Sequence, residues 1–239
     1  MNSLSPIQQD AASVETFAVH NSASPLEQKL YEETACFLDT LDGCHGLDHT
    51  RRVHNIAKHL GETLKADLPI LNAAAILHDI GRPEEQQSRG AVCHAARGAE
   101  LARPILQRLH FTEEAIAAIL HCIASHRFRS SNPPLSLEAK ILFDADKLDS
   151  IGATGIGRAF LFAGQVGAKL HNAGGRVEET EAYSLDDTAY REFRLKLCKV
   201  KNKMQTAIGL QLAKERHAFM ELFFGQLIRE IDGEWNCTP

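Results

Sequence analysis

From residue 26 onwards, apolar residues recur at spacings of three and four along nearly the whole chain. This spacing places them on one face of an α-helix, whereas a half-buried strand needs an alternation of two, and no such alternation persists. Ala and Leu outnumber the β-branched residues, which also favours helices. The pattern predicts an all-α, single-domain helical bundle over residues 26–232, including a C-terminal helical extension. Residues 1–25 have no sustained period and are expected to form a loose N-terminal arm.

Capping residues and glycine or proline stops predict where the helices begin and end. Asp48 and Thr112 are expected N-caps, and Gly81 with Pro83 ends a helix that is apolar all round. The acidic, glycine-containing stretch 172–187 is expected to form a mobile loop. The predicted helices are 27–41, 48–64, 68–80, 92–109, 112–126, 136–163 and one long helix or a pair of helices over 187–231.

Charge and composition argue against several classes of protein. The 26 basic and 31 acidic residues give a net charge of −5 with no long run of either sign, which argues against binding to nucleic acid. No apolar run approaches the ~18–20 residues of a membrane-spanning helix, and the first residues do not resemble a signal peptide. We therefore expect a cytoplasmic protein without a membrane partner. The six cysteines form no C-x-x-C pair, so a thiolate zinc site has no support.

One buried carboxylate is predicted at the end of helix 68–80. The pair His78-Asp79 directly follows five apolar residues. An unpaired carboxylate there would be destabilised by desolvation and by the negative end of the helix dipole. A metal cation would relieve both costs. The alternative is an ion pair with an arginine such as Arg82.

A second group of carboxylates lies within the apolar helix 136–163. Asp146 and Asp149 are three residues apart and share a face, whereas Asp144 points well away from Asp146. At least one of the three should point inward, where a carboxylate needs a cation. Lys147 is an alternative partner for one of them.

The 12 histidines supply candidate partners for these carboxylates. His49 and Arg52 are neighbours on helix 48–64, so that a metal ligand and a phosphate-binding cation could face one cavity. His94 opens helix 92–109, and His126 is followed by two arginines. The histidines expected at the surface or in ordinary hydrogen bonds include His45, His54 and His59.

These residues together resemble the HD-domain metal-dependent phosphohydrolases. The resemblance rests on His49, on Leu-His-Asp-Ile-Gly at 77–81 and on Asp146, in that order. The blocks HAARGAELARPIL, HRFR, EAKILFDADKLDSIGATGIGRAF and AKERHAFM resemble the stand-alone bacterial members, so that the likeness covers roughly residues 27–230. One departure is that residues 190–193 read Tyr-Arg-Glu-Phe where the family often has His-Phe.

The resemblance implies one divalent ion, such as Mn²⁺, Fe²⁺, Co²⁺, Ni²⁺ or Mg²⁺, with a second ion left open. The implied ligands of the first ion are His49, His78, Asp79 and Asp146. Candidates for a second ion or for catalysis are His94, His126, His121, Glu84 and Glu85. Candidates for binding phosphate are Arg52, Lys147, Arg127 and Arg129.

The resemblance also implies a small phosphorylated substrate. The first hypothesis is pyrophosphohydrolysis of a nucleoside triphosphate, which yields the monophosphate and pyrophosphate. The alternatives are a phosphomonoesterase or cyclic-nucleotide phosphodiesterase, a di-iron HD-type oxygenase, and a non-catalytic nucleotide-binding module. A homo-oligomer is compatible with all of them.

Overall fold

The computed structural model describes residues 23–38, 45–127, 132–172 and 177–234. These residues form α-helices, turns and two short 3₁₀ segments without a β-strand, which confirms the predicted all-α fold. The expected arm and the end of the predicted helix 27–41 lie largely outside the described residues. The helices are α1 Pro25–Leu38, α2 Leu47–Leu64, α3 Leu68–Leu77, α4 Arg82–Gln87, α5 His94–Arg108, α6 Glu113–Ser125, α7 Leu137–Asp149, α8 Gly152–Gln165, α9 Ala189–Leu195 and α10 Ala207–Ile231.

Helix α3 forms the centre of the core. Its residues 73–77 are buried, and it packs against α1, α2, α6 and α7. The Asp67 side chain caps its first turn by accepting the Ile70 N–H at 3.2 Å. Because α3 is surrounded on several sides, the residues that follow it, His78 and Asp79, lie inside the molecule.

Helix α2 begins earlier than the sequence predicts. Its N-cap is Gly46, so the prediction that Asp48 is the N-cap is wrong. Asp48 lies in the first turn and accepts from Arg52 one turn later, at 2.7 Å. Thr112 does cap α6, since its hydroxyl accepts the Ala115 N–H at 3.3 Å.

The predicted helix 136–163 is divided in two. Helix α7 ends at Asp149, and α8 begins at Gly152 with a left-handed φ of +76°. A side chain at that position would be strained, and its Cβ would lie 2.9 Å from the Arg216 side chain. The break lets α8 pack against α9 and α10, where it forms one wall of the candidate site.

The C-terminal region is also more divided than predicted. It consists of α9, a 3₁₀ segment at Leu197–Lys203 and α10, each in contact with the next. The stretch expected to be a mobile loop is anchored over residues 177–188. The Arg191 guanidinium donates to Asp187 at 2.8 Å and to the Thr180 hydroxyl at 2.7 Å. No helix among the described residues is long and apolar enough to cross a membrane.

Candidate metal centre

Five helices bring buried histidines and aspartates to one point. His49 lies in the first turn of α2, and His94 is the first residue of α5. His78 and Asp79 follow α3, while His126 follows α6. Asp146 projects from the last turn of α7. All six side chains belong to buried residues.

Glycine at position 81 permits this convergence. A Cβ there would overlap the backbone carbonyl of His94 and lie 2.7 Å from the Gly98 nitrogen. Without that Cβ, the first turn of α5 can pack directly against the chain that leaves α3. The glycine in the Leu-His-Asp-Ile-Gly motif therefore places His94 beside Asp79.

The first group of ligand atoms surrounds the outer nitrogen of His49. This Nε2 lies 3.3 Å from the Nε2 of His78 and 3.5 Å from Oδ1 of Asp146. It also lies 3.6 Å from Oδ2 of Asp79. The structure therefore brings together the four residues that the resemblance implies as ligands of one ion.

The second group shares Asp79 with the first. His94 and His126 place their Nε2 atoms 3.1 Å apart, and each nitrogen lies 3.5 Å from Oδ1 of Asp79. One carboxylate thus faces two sets of ligands, one with each oxygen. This arrangement is suited to bridging two cations.

The inner ring nitrogens show which tautomer each histidine adopts. Nδ1 of His78 lies 2.8 Å from the Ala75 carbonyl, and Nδ1 of His126 lies 2.6 Å from the Ile123 carbonyl. A carbonyl only accepts, so both Nδ1 atoms donate, and in the neutral form of each ring the lone pair is on Nε2.

The other two histidines donate to carboxylates. His49 donates from Nδ1 to Asp149, and His94 donates from Nδ1 to Glu85, each at 2.8 Å. Such bonds fix the ring orientation in metal sites and direct Nε2 towards the ion. Four Nε2 atoms therefore converge in two close pairs.

Each close pair includes one histidine that burial keeps neutral. Burial lowers the pKa of His78 to about 4 and that of His94 to about 3, so both rings are neutral near pH 7. Burial also opposes the charged form of Asp79, but the neighbouring Arg82 keeps its pKa well below the ordinary value. Oδ1 of Asp79 is buried without a hydrogen-bond partner. A divalent cation would satisfy these atoms.

The pKa of His49 shows that the first group favours positive charge. Burial lowers this pKa, but hydrogen bonds to Asp146 and Asp149 outweigh burial and raise it overall. The pKa of Asp146 is held well below its ordinary value, against burial, by Lys147 and His49. The Lys147 ammonium lies 2.7 Å from the Asp146 carboxylate.

Asp149 supports the first group from behind, a role that the sequence analysis did not assign. Besides His49, its carboxylate accepts from Arg52 Nε and from Arg158, both at 2.7 Å. Arg52 also donates to Asp48. The guanidinium of Arg52, a candidate for binding phosphate, is directed to these two carboxylates, and its role towards phosphate stays a prediction.

The two candidate glutamates have different surroundings. Glu85 accepts from His94 and from Arg82, the latter at 3.1 Å, and it pairs closely with Arg127. Glu84 instead accepts from Arg97 at 2.7 Å, away from the histidines. Only Glu85 of this pair adjoins the centre.

His121 is not brought to the centre. Its Nε2 accepts the backbone N–H of Leu135 at 3.1 Å, and it therefore supports the loop that precedes α7. Arg129 lies outside the described residues. His45 was expected at the surface or in an ordinary hydrogen bond. Its side chain is 40% exposed, and its Nδ1 lies 3.7 Å from Oδ2 of Asp79. It stands in a turn before α2, where helical spacing gave no signal.

Two cavities adjoin the centre and share His45. The larger, of about 660 Å³, is lined by Arg82, Arg89 and Arg127, and we call it the arginine cavity. The smaller, of about 250 Å³, lies between α8 and α9, and we call it the α8–α9 slot. The slot is lined by Gly155, Ala159, Phe162, Glu192 and Leu197 among others.

Comparisons with known proteins agree with this geometry. Residues 46–151 match the family model described as the HD domain. The protein YpgQ of Bacillus subtilis is 34% identical over 205 residues, which cover 79% of this chain and 85% of YpgQ. The chain belongs to the HD-domain phosphohydrolase family. This HD protein is accordingly a metal-dependent phosphohydrolase.

Solved structures extend the likeness beyond the matched domain. A crystal structure of Bacillus subtilis YpgQ in complex with ADP has a TM-score of 0.67 and 29% identity to the HD protein, and the match covers 86% of this chain and 94% of that chain. An HD-superfamily hydrolase from Bacillus thuringiensis has a TM-score of 0.68 and 29% identity, with 86% and 96% covered. Matches that cover 86% of the chain extend well beyond the domain at residues 46–151.

Proposed function

We propose that the protein is a nucleoside triphosphate pyrophosphohydrolase that releases a nucleoside monophosphate and pyrophosphate. The observation that carries this proposal is the position of the centre. Two sets of metal-ligand atoms that share Asp79 lie beside a cavity lined by three arginines, whose wall residues Arg82 and Glu85 contact Asp79 and His94. Such a cavity suits an extended, strongly anionic group such as a polyphosphate.

His49, His78, Asp79 and Asp146 would hold the first divalent ion. Asp79, His94 and His126 would hold a second. Imidazole and carboxylate ligands suit Mn²⁺, Fe²⁺, Co²⁺ or Ni²⁺, and the first of these is our choice for assays. When bound, such ions polarise a phosphoryl oxygen and lower the pKa of bound water.

The residues of the chain supply orientation and charge. Asp149 and Glu85 hold His49 and His94 with their Nε2 atoms directed inward. Arg82 and Arg127 both contact Glu85, which aligns their guanidinium groups along the arginine cavity. A phosphate chain entering this cavity would meet both cations beside the centre. Fixed positive groups of this kind stabilise charge that builds on phosphate oxygens during hydrolysis.

The choice of a nucleotide is supported by YpgQ, which has been crystallised with ADP. The ADP complex is a property of YpgQ, but the chains share 34% identity over most of their length. The slot next to the arginine cavity offers space for a group that is larger and less charged than phosphate. A nucleotide combines both kinds of group.

The test is product analysis with metal-free protein to which Mn²⁺ is added. We expect the wild type to convert deoxynucleoside triphosphates to monophosphates and pyrophosphate, and the Asp146→Asn variant to release neither. Orthophosphate released from monophosphates, or opening of cyclic nucleotides, would reassign the substrate within the phosphohydrolases. Turnover that is identical with and without a chelator would contradict the proposed centre.

A further inference from the structure

Tyr183 is an exposed aromatic residue held in an unfavourable backbone conformation. Its side chain belongs to a residue that is 78% exposed, and its φ is +58°, in the left-handed region. This region disfavours residues with a Cβ. The conformation is maintained because the Tyr183 N–H donates to Asp187 at 2.7 Å, and Asp187 is fixed by the buried Arg191.

The Tyr183 ring contacts Phe162 on the wall of the site. The two ring centroids are 5.9 Å apart, and the planes meet at 74°. Both residues line the arginine cavity and also the α8–α9 slot. The strained segment therefore presents an aromatic ring at the boundary between the two cavities.

The slot on one side of this aromatic pair differs from the arginine cavity on the other. Gly155, Ala159 and Leu197 give the slot apolar surface. Glu192 and Lys196 add one acceptor and one donor, paired at 2.7 Å. A flat heteroaromatic ring with polar edges has matching chemistry, since its faces stack on aromatic side chains while its edges hydrogen-bond.

His45 fixes where this slot lies relative to the reaction centre. It lines both cavities and lies 3.7 Å from Asp79. A substrate that reaches from the slot past His45 into the arginine cavity would place its phosphates next to the metal-ligand atoms. The site thus has one end of mixed apolar and polar lining, which includes Arg158 and Lys196, a reactive middle and a cationic end.

We infer that the nucleobase of the substrate binds in the α8–α9 slot and stacks on the Phe162–Tyr183 pair. This inference rests on the proposed function and adds to it the orientation of the substrate. Phe162 and Tyr183 are then specificity-determining residues, because their rings contact the base.

Calorimetric titration with two ligands tests the inference. ADP carries a base and pyrophosphate does not, so the difference between the two affinities reports on contacts with the nucleoside part. In Mn²⁺ buffer, Tyr183→Ala should weaken ADP binding by about tenfold, a typical effect of one lost stacking partner, and should leave pyrophosphate binding unchanged. Tyr183→Phe keeps the ring and should bind ADP like the wild type.

Phe162→Ala should act like Tyr183→Ala. Leu161→Ala is its matched control, because Leu161 is the next residue on α8 and is 47% exposed. Equal ADP affinity in the wild type, Tyr183→Ala and Phe162→Ala would overturn the inference, as would equal losses for ADP and pyrophosphate. Absence of ADP binding to the wild type would also overturn it.

The same samples keep the two proposals distinguishable. Pyrophosphate release from deoxynucleoside triphosphates by the wild type tests the proposed function, and it does not depend on the slot. If the wild type turns over and both Tyr183→Ala and Phe162→Ala bind ADP with unchanged affinity, the proposed function stands and the base subsite is refuted. If the wild type shows no turnover but Tyr183→Ala and Phe162→Ala weaken ADP binding, the base subsite stands and the proposed function does not.

Discussion

Two buried carboxylates on α7, only two residues apart, have opposite surroundings. Asp144 accepts the backbone N–H of Gln205 at 2.7 Å and that of Thr206 at 2.9 Å, and it also accepts the Thr206 hydroxyl. Asp146 instead lies 3.5 Å from Nε2 of His49 and 2.7 Å from the Lys147 ammonium. The first carboxylate is satisfied by neutral donors, whereas the second lies among ionisable side chains.

The role of a buried carboxylate depends on the groups that surround it. Asp144 binds the chain that leads into α10, and burial raises its pKa although these donors oppose the rise. It therefore serves the fold. Asp146 and Asp79 converge with lone pairs of histidines, an arrangement that a protein can stabilise only with added positive charge. Burial alone does not distinguish a structural carboxylate from a metal ligand, because the role is set by the neighbouring donors and acceptors.

The largest effect should come from the carboxylate that faces both ligand sets. Asp79→Asn removes the negative charge between them, and hydrolysis should fall by a factor on the order of 10³ or more. Pyrophosphate release under Mn²⁺ measures this. Circular dichroism should show an intact helical fold. Activity within tenfold of the wild type would refute the shared role of Asp79.

A smaller loss should follow a change behind the centre. Asp149→Asn removes the anion that orients His49, so the dissociation constant for Mn²⁺ should rise about 10–100-fold. Excess Mn²⁺ should restore most of the activity, a rescue that loss of a direct ligand would not allow. Failure of excess metal to restore turnover would place Asp149 in another role.

On the structural side of the comparison, Asp144→Asn should affect stability and spare chemistry. The amide cannot accept all three hydrogen bonds on equal terms, and the free energy of unfolding should fall by about 1–3 kcal/mol. Urea unfolding measures the loss. Mn²⁺ affinity should match that of the wild type. A joint loss of stability and metal binding would contradict the assignment of Asp144 to the fold and of Asp146 to the metal centre.

The smallest effect is expected at His121. Its ring accepts one backbone N–H and stands outside both ligand sets. His121→Asn should change the free energy of unfolding by about 0.5–1.5 kcal/mol and leave turnover unchanged. A large fall in kcat with normal stability would return His121 to the list of site residues.

Much of the fold and of the centre was predictable from sequence. Apolar spacing predicted the helices, and the motif that contains His78 and Asp79 stood out because polar residues ended an apolar helix. The break between α7 and α8 was missed, because apolar spacing continues across it and only Gly152 marks the turn. Asp149 was noted as a residue on the face of Asp146, but spacing could not show which of the two faces the histidines.

The remaining residues of the site lie where periodicity carries no information. His45 belongs to a turn before α2, and Tyr183 belongs to a segment without helical spacing. Their positions depend on tertiary contacts, such as the ion pair between Asp187 and Arg191. The separate roles of Glu84 and Glu85 likewise depend on which arginine each one meets.

The central claim is that Asp79 is shared by two cation sites, and titration of metal-free protein with Mn²⁺ tests it directly. Calorimetry should find two ions bound per wild-type chain, one in His126→Asn, and greatly weakened binding in Asp79→Asn. Asp144→Asn serves as the matched control, since it removes a buried carboxylate on α7 without touching either ligand set, and it should bind two. Mn²⁺ binding by Asp79→Asn that equals the wild type in affinity and stoichiometry would contradict the claim.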